Sequence, residues 1–228
     1  MARRARHRRT PTHRDRPIAL LFIAGSSLFA IASLPAYAAR VDARAVGVTF
    51  VIGSILFTAA AIGQYLQVRN DPTDAAGRSV AASMRSAAWW AVAVQLVGTV
   101  MFNISTVAAM AKAIDTYQEA NRLVWGPDVY GSIAFLIASH LAWLHVCGRL
   151  WCVKRESTDW WMAALNYVGS IFFMVSALAA VTLPTTGETL NIALVNSATF
   201  VGAGCFLAGA WLLLRSTGTD AETAPLPE

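Results

Sequence analysis

The chain of 228 residues is 56% hydrophobic, only 14% charged, and carries a net charge of +5. Soluble globular domains carry roughly 25% charged residues, so this composition excludes an ordinary soluble domain and directs the reading to a membrane protein. Of the 18 Lys and Arg residues, Arg3, Arg4, Arg6, Arg8, Arg9, Arg14 and Arg16 form a short tail against an apolar run. Such a tail suits an anionic lipid surface. It does not suit nucleic acid, which needs a basic face on a folded domain.

A spanning helix needs about 20 predominantly apolar residues, and six stretches meet that length: 18–38, 45–67, 87–111, 128–150, 160–183 and 191–214. The first follows the basic tail and ends in Ala36-Tyr37-Ala38, a small-residue pattern like a signal-peptidase site. An apolar run of about 20 residues exceeds the usual signal core of roughly 7–15, so the expectation is that it stays as a span. Arg69-Asn70-Asp71-Pro72 closes the second span. Gly126-Pro127-Asp128 opens the fourth, with proline in the first turn where its missing N–H does no harm. Pro184-Thr185-Thr186-Gly187 breaks the chain between the fifth and sixth. Lysine is nearly absent and alanine abundant, a composition typical of a bacterium with a GC-rich genome.

Loop charge sets orientation, because Lys and Arg favour the cytoplasmic side. With the N-terminus inside, the inner segments hold the seven tail arginines with Arg69, Arg78, Arg85, Arg149, Lys154, Arg155 and Arg215. The outer ones hold only Arg40, Arg44, Lys112 and Arg122. Trp89-Trp90 and Trp160-Trp161 then fall at inner interfaces, where amphipathic rings settle. The expected organisation is a basic cytoplasmic tail over 1–16, a six-helix transmembrane domain over 17–215 and a short disordered cytoplasmic tail over 216–228, in the inner (cytoplasmic) membrane.

Every span contains glycine, a small residue, two further residues, then phenylalanine: GSSLF, GSILF, GTVMF, GSIAF, GSIFF and GAGCF. The glycines are Gly25, Gly53, Gly98, Gly131, Gly169 and Gly202. The phenylalanines are Phe29, Phe57, Phe102, Phe135, Phe173 and Phe206. Seven and eight residues beyond each glycine come further small residues, among them Ala32 and Ser33, Ser105 and Thr106, Ala138 and Ser139, Gly209 and Ala210. Positions i, i+4 and i+7 share a helix face, and small residues one heptad apart let membrane helices approach closely. The pattern predicts a helix-packing seam in which phenylalanine fills the space beside a neighbour's glycine. A shift of 71 residues lays SAAWWAVAVQLVGTVMF on STDWWMAALNYVGSIFF, so that Trp89-Trp90 meets Trp160-Trp161 and Gln95 meets Asn166. The predicted fold is an all-α membrane protein, a six-transmembrane-helix bundle built from three related helical hairpins. Parallel repeats of this kind occur in transporters and also in bundles with no transport role.

Leu165-Asn166-Tyr167-Val168-Gly169-Ser170 resembles the signature of the YrhK-like family of small bacterial membrane proteins. QLVGTVMFNIST from Gln95 and WGPDVYGSIAFLIAS from Trp125 are similar to the longer, multi-span members of actinobacteria. The resemblance extends from about the first span to Leu214. It implies a multi-pass membrane architecture and assigns no activity, catalytic residue or ligand.

Polar groups within spans are the candidate functional residues. No Asp, Glu, Lys or Arg lies deep in a span, which weighs against ion-coupled transport and voltage sensing. Gln95, Asn103, Asn166, Asn196 and Thr199 are expected to tie helices together, with a polar cavity lining as the alternative. Asp128 suits a helix N-terminus. His140 should sit near mid-depth and hydrogen-bond a neighbouring helix. His145, five residues on, lies about 140° round the helix, an awkward arrangement for a shared metal. Cys147, Cys152 and Cys205 are odd in number and give no disulfide framework. No nucleophile elbow, HExxH, phosphate loop or paired acids appear, so no enzyme and no cofactor is expected.

The leading expectation is a non-enzymatic compact bundle acting through protein partners, a second copy or lipid. A channel or facilitator for a small neutral solute or ion is the alternative. A metal- or haem-binding subunit using His140 and His145 is the weaker one.

Overall fold

A computed structural model describes residues 15–70, 86–110 and 114–222, with side chains to 217. Residues 1–14, Arg78, Arg85, Lys112 and residues 223–228 lie outside the described residues; the chain is helical over 216–222, where the sequence reading expects a disordered tail. Six long helices dominate: α1 (Asp15–Ala32), α2 (Ala43–Arg69), α3 (Ala87–Ala109), α4 (Gly126–Cys147), α5 (Thr158–Ala179) and α6 (Ile192–Glu222). All six contain segments long and apolar enough to cross a membrane. The described residues form no strand beyond an isolated bridge between Thr182 and Thr189.

The helices begin where the sequence supplies an oxygen for the unpaired N–H groups of a first turn. Asp42 accepts from the Ala45 amide at the start of α2. Ser86 accepts from Trp89 and Ser157 from Trp160, the same cap 71 residues apart. Asn191 Oδ1 accepts from Leu194 as α6 begins. Helix α4 ends on Gly148, whose φ of 69° is a left-handed conformation open to glycine at little cost.

The fourth span differs from the sequence reading at its N-terminal end. Helical backbone starts at Thr116, which caps the turn Tyr117–Ala120, and runs through a π-helical turn, Asn121–Trp125, into α4. Pro127 thus sits ten residues, nearly three turns, inside a longer helical segment. The wider turn lets its bulge lie against the α5–α6 connection, where Asn121 makes paired hydrogen bonds with the Thr182 backbone, both 2.8 Å. An amide side chain here imitates a strand neighbour, which sequence periodicity does not reveal.

Each helix packs against its chain neighbours, and α6 packs against α1, so the six close into a ring. Consecutive helices pair as three hairpins: α1 with α2, α3 with α4, α5 with α6. The interior is small residues and phenylalanine. The outer surface carries Ile52, Ile55, Ile62, Val97, Val100, Ile104, Ile133, Ile137, Ile171 and Val201, all exposed. So large an exposed apolar belt is foreign to a water-soluble monomer and matches hydrocarbon as solvent.

Candidate functional site

The interior is organised by glycine. A Cβ built on Gly98 would lie 3.1 Å from the Gly131 carbonyl oxygen, and one on Gly131 would lie 3.1 Å from that of Gly98. Gly169 and Gly202 stand in the same reciprocal relation at 3.0 Å each way, and Gly25 and Gly53 at 2.9 and 3.2 Å. Each hairpin therefore has its two backbones in direct contact at one level. The space beside each pair takes a partner ring: the hypothetical Cβ of Gly98 meets Phe135 at 2.7 Å, that of Gly169 meets Phe206 at 2.9 Å, and that of Gly53 meets Phe29 at 3.1 Å.

Those rings fill the bundle axis in two layers. Phe57, Phe135 and Phe206, from the second helix of each hairpin, form a triangle with centroid separations of 5.8, 5.5 and 5.6 Å. Phe29, Phe102 and Phe173, from the first helices, form the other layer, with Phe173 5.8 Å from Phe102 and 6.2 Å from Phe29. The layers touch, Phe102 to Phe135 at 5.2 Å and Phe173 to Phe206 at 5.4 Å. Helical side chains lean toward their own N-terminus. In antiparallel neighbours, rings four residues past a shared glycine level therefore lean back toward that level and meet there. Phe135, at the centre, is 1% exposed.

The cavity that remains is lined by Ser26, Ser54, Thr99 and the rings of Phe29, Phe57, Phe102, Phe135 and Phe173, and leaves about 10 Å³ for the centre of a water molecule. That is room for about one water. The Ser26 hydroxyl, buried on this cavity, has no partner. None of the polar residues singled out in the sequence lines it.

Those residues are instead spread over separate helix contacts. Gln95 donates to Gln64 at 3.0 Å, and Asn103 donates to Thr58 at 2.7 Å; both join α3 to α2. Asn103 Oδ1 is buried without a partner. Asn166, which shares Gln95's repeat position, faces elsewhere: its Oδ1 would lie 3.0 Å from a Cβ on Gly209 in α6. Its backbone carbonyl accepts from Ser139 and Ser170. Thr199 and Ser176 share a hydrogen bond of 2.7 Å. Asn196 is half-buried in α6, and Asp128 is half-buried near the start of α4. His140 packs its ring 5.9 Å from that of Tyr167. The group is thus not one cavity lining. Among the described residues, no three His, Cys, Asp or Glu side chains come together as metal ligands.

Hydroxyls join the hairpins at mid-depth. Ser54 meets Thr106 at 3.0 Å between the first and second hairpins, and Ser139 meets Ser170 at 2.7 Å between the second and third. Within the second and third hairpins an identical bond recurs: Ser105 donates to the Val124 carbonyl at 2.9 Å, and Ser176 to that of Val195 at 3.1 Å. Alanine, Ala32, holds the corresponding place in the first.

One expectation is corrected. Cys147 and Cys152 are joined by a disulfide, although the odd cysteine count suggested no framework. The left-handed Gly148 turns the chain so that residues five apart can face each other. Cys205 is free.

Residues 14–68 match the family model described as YrhK-like protein. The match spans α1 and nearly all of α2, whereas Gln95–Thr106, Trp125–Ser139 and Leu165–Ser170, which carry the resemblance in the sequence, belong to the other two hairpins. No curated protein and no solved structure matches the chain. Over its first helical hairpin, therefore, the chain is YrhK-like.

Proposed function

We propose that this chain is a non-enzymatic bundle in the cytoplasmic membrane of a bacterial cell, acting through protein partners or lipid, with both ends on the cytoplasmic side. On this reading duplication of one hairpin produced all three. The observation that carries the proposal is the filled axis. Two touching layers of phenylalanine occupy the line a solute would follow, and the residual space holds about one water. The glycine contact in all three hairpins, and the serine cap and serine-to-carbonyl bond that recur 71 residues apart in the second and third, support the duplication. The excess of Lys and Arg on one side supports the orientation.

The amides that favoured a channel in the sequence face separate helices, which gives that alternative no continuous polar path. Stopped-flow light scattering on proteoliposomes with a panel of small neutral and ionic solutes tests the proposal. The expected rates equal those of empty liposomes. Flux above that level, falling when Gln95 or Asn166 becomes leucine in a folded variant, would replace the proposal with a channel.

A further inference from the structure

The Cys147–Cys152 bond closes a loop of six residues, Cys-Gly-Arg-Leu-Trp-Cys, with Cα atoms 5.6 Å apart. A loop this short removes little freedom from an unfolded chain compared with a long-range crosslink, so stability is a weak reason for the bond. The loop is also held without it. Trp143 Nε1 donates to the Leu150 carbonyl at 2.9 Å, Trp160 Nε1 to that of Cys152 at 3.1 Å, and Lys154 Nζ to that of Val146 at 2.5 Å. Opening the bond would therefore leave the two sulfurs close and ready to rejoin. The tip is presented outward: Leu150 is 65% exposed, Trp151 85% and Val153 71%, with Arg149, Lys154 and Arg155 around them.

We propose that Cys147 and Cys152 form a reversible dithiol–disulfide pair on the cytoplasmic face, exchanging with thiols there. The inference rests on the orientation proposed above. Cytoplasmic thiols are kept reduced, and a disulfide on that side is usually transient, catalytic or sensing. In the exchange a thiolate attacks one sulfur of the pair, the Cys147–Cys152 bond breaks, and the departing thiolate takes a proton. A second thiol attacks the mixed disulfide. It releases the other cysteine as a thiol and leaves the two attacking sulfurs joined, so two electrons and two protons enter the pair. Both cysteines lie beneath the tip, Cys147 9% and Cys152 7% exposed, so exchange requires the tip to lift and runs slower than at an open surface disulfide.

The test uses the full chain carrying Cys205→Ser in inverted membrane vesicles. These are equilibrated across a series of reduced-to-oxidised glutathione ratios, quenched with acid and labelled with polyethylene glycol maleimide. The expected result is a gel shift of two adducts that rises as the buffer becomes reducing and reverses on return. A pair unlabelled throughout, or doubly labelled throughout, overturns the proposal. Orientation is read separately from Arg69→Cys in a chain whose three native cysteines are serine, using a membrane-impermeant maleimide on intact cells. Labelling only after permeabilisation supports the cytoplasmic placement. Labelling of intact cells overturns the orientation, and the cytoplasmic exchange with it, whatever the glutathione series gives.

Discussion

Contacts within hairpins and contacts between hairpins are built from different material. Inside a hairpin, glycine meets glycine and two backbones touch, so the fit is set by atoms that cannot rotate away. Between hairpins each polar tie involves at least one side chain: Ser54 with Thr106, Ser139 with Ser170 and the Asn166 carbonyl, Gln95 with Gln64, Asn103 with Thr58. Rotatable groups tolerate small displacements that a backbone contact does not. The difference makes the hairpin the rigid unit and the ring an assembly of three such units.

The strongest way to break that distinction is inside a hairpin. Gly169→Leu places a branched side chain where even a Cβ would be 3.0 Å from the Gly202 carbonyl, and no monodisperse folded protein should survive size-exclusion chromatography in detergent. Phe135→Ala removes the ring at the meeting of the two layers and should destabilise by about 3–5 kcal/mol, the usual range for a buried phenylalanine, read from thermal unfolding in detergent. A tie between hairpins should matter less: Ser139→Ala removes its bond to Ser170 and should lower stability by about 0.6–2 kcal/mol. At the closing interface the place equivalent to Ser139 is Ala210, and Ser26, equivalent to Ser170, lacks a partner. Ala210→Ser should therefore raise stability by about 0.6 kcal/mol, at the lower end of such bonds; a loss would show that the positions are not equivalent. The smallest effect belongs to Gly204→Ala. It lies two residues from Gly202, but a Cβ there meets nothing within 4 Å, and the change should raise stability by about 0.5 kcal/mol, the lower end of the gain when alanine replaces a mid-helix glycine.

The six spans were legible because apolar length and charge breaks are one-dimensional properties. The glycine and phenylalanine positions were legible because they recur in every span at one spacing. The candidate polar residues were legible only as individuals. Gln95 and Asn166 occupy the same place in their hairpins, yet one reaches α2 and the other lies against α6. Register along a chain fixes depth but not which neighbour a flexible amide chooses. Thr58, Gln64 and Asn121 escaped notice since each acquires meaning only from a partner far along the chain. An odd cysteine count gives no pairing for Cys147 and Cys152, whereas the left-handed turn at Gly148 is what brings them together.

Closure of the ring through α6 and α1 has a further consequence. Every helix has two flanking neighbours, so no hairpin is terminal in space although one must be first in sequence. A rearranged gene that opened at α3, ran through α6 and continued by a new linker into α1 and α2 would encode the same six interfaces in another order. The bundle is defined by its cyclic order of helices, and the point at which translation enters that circle is a matter of connection, not of architecture.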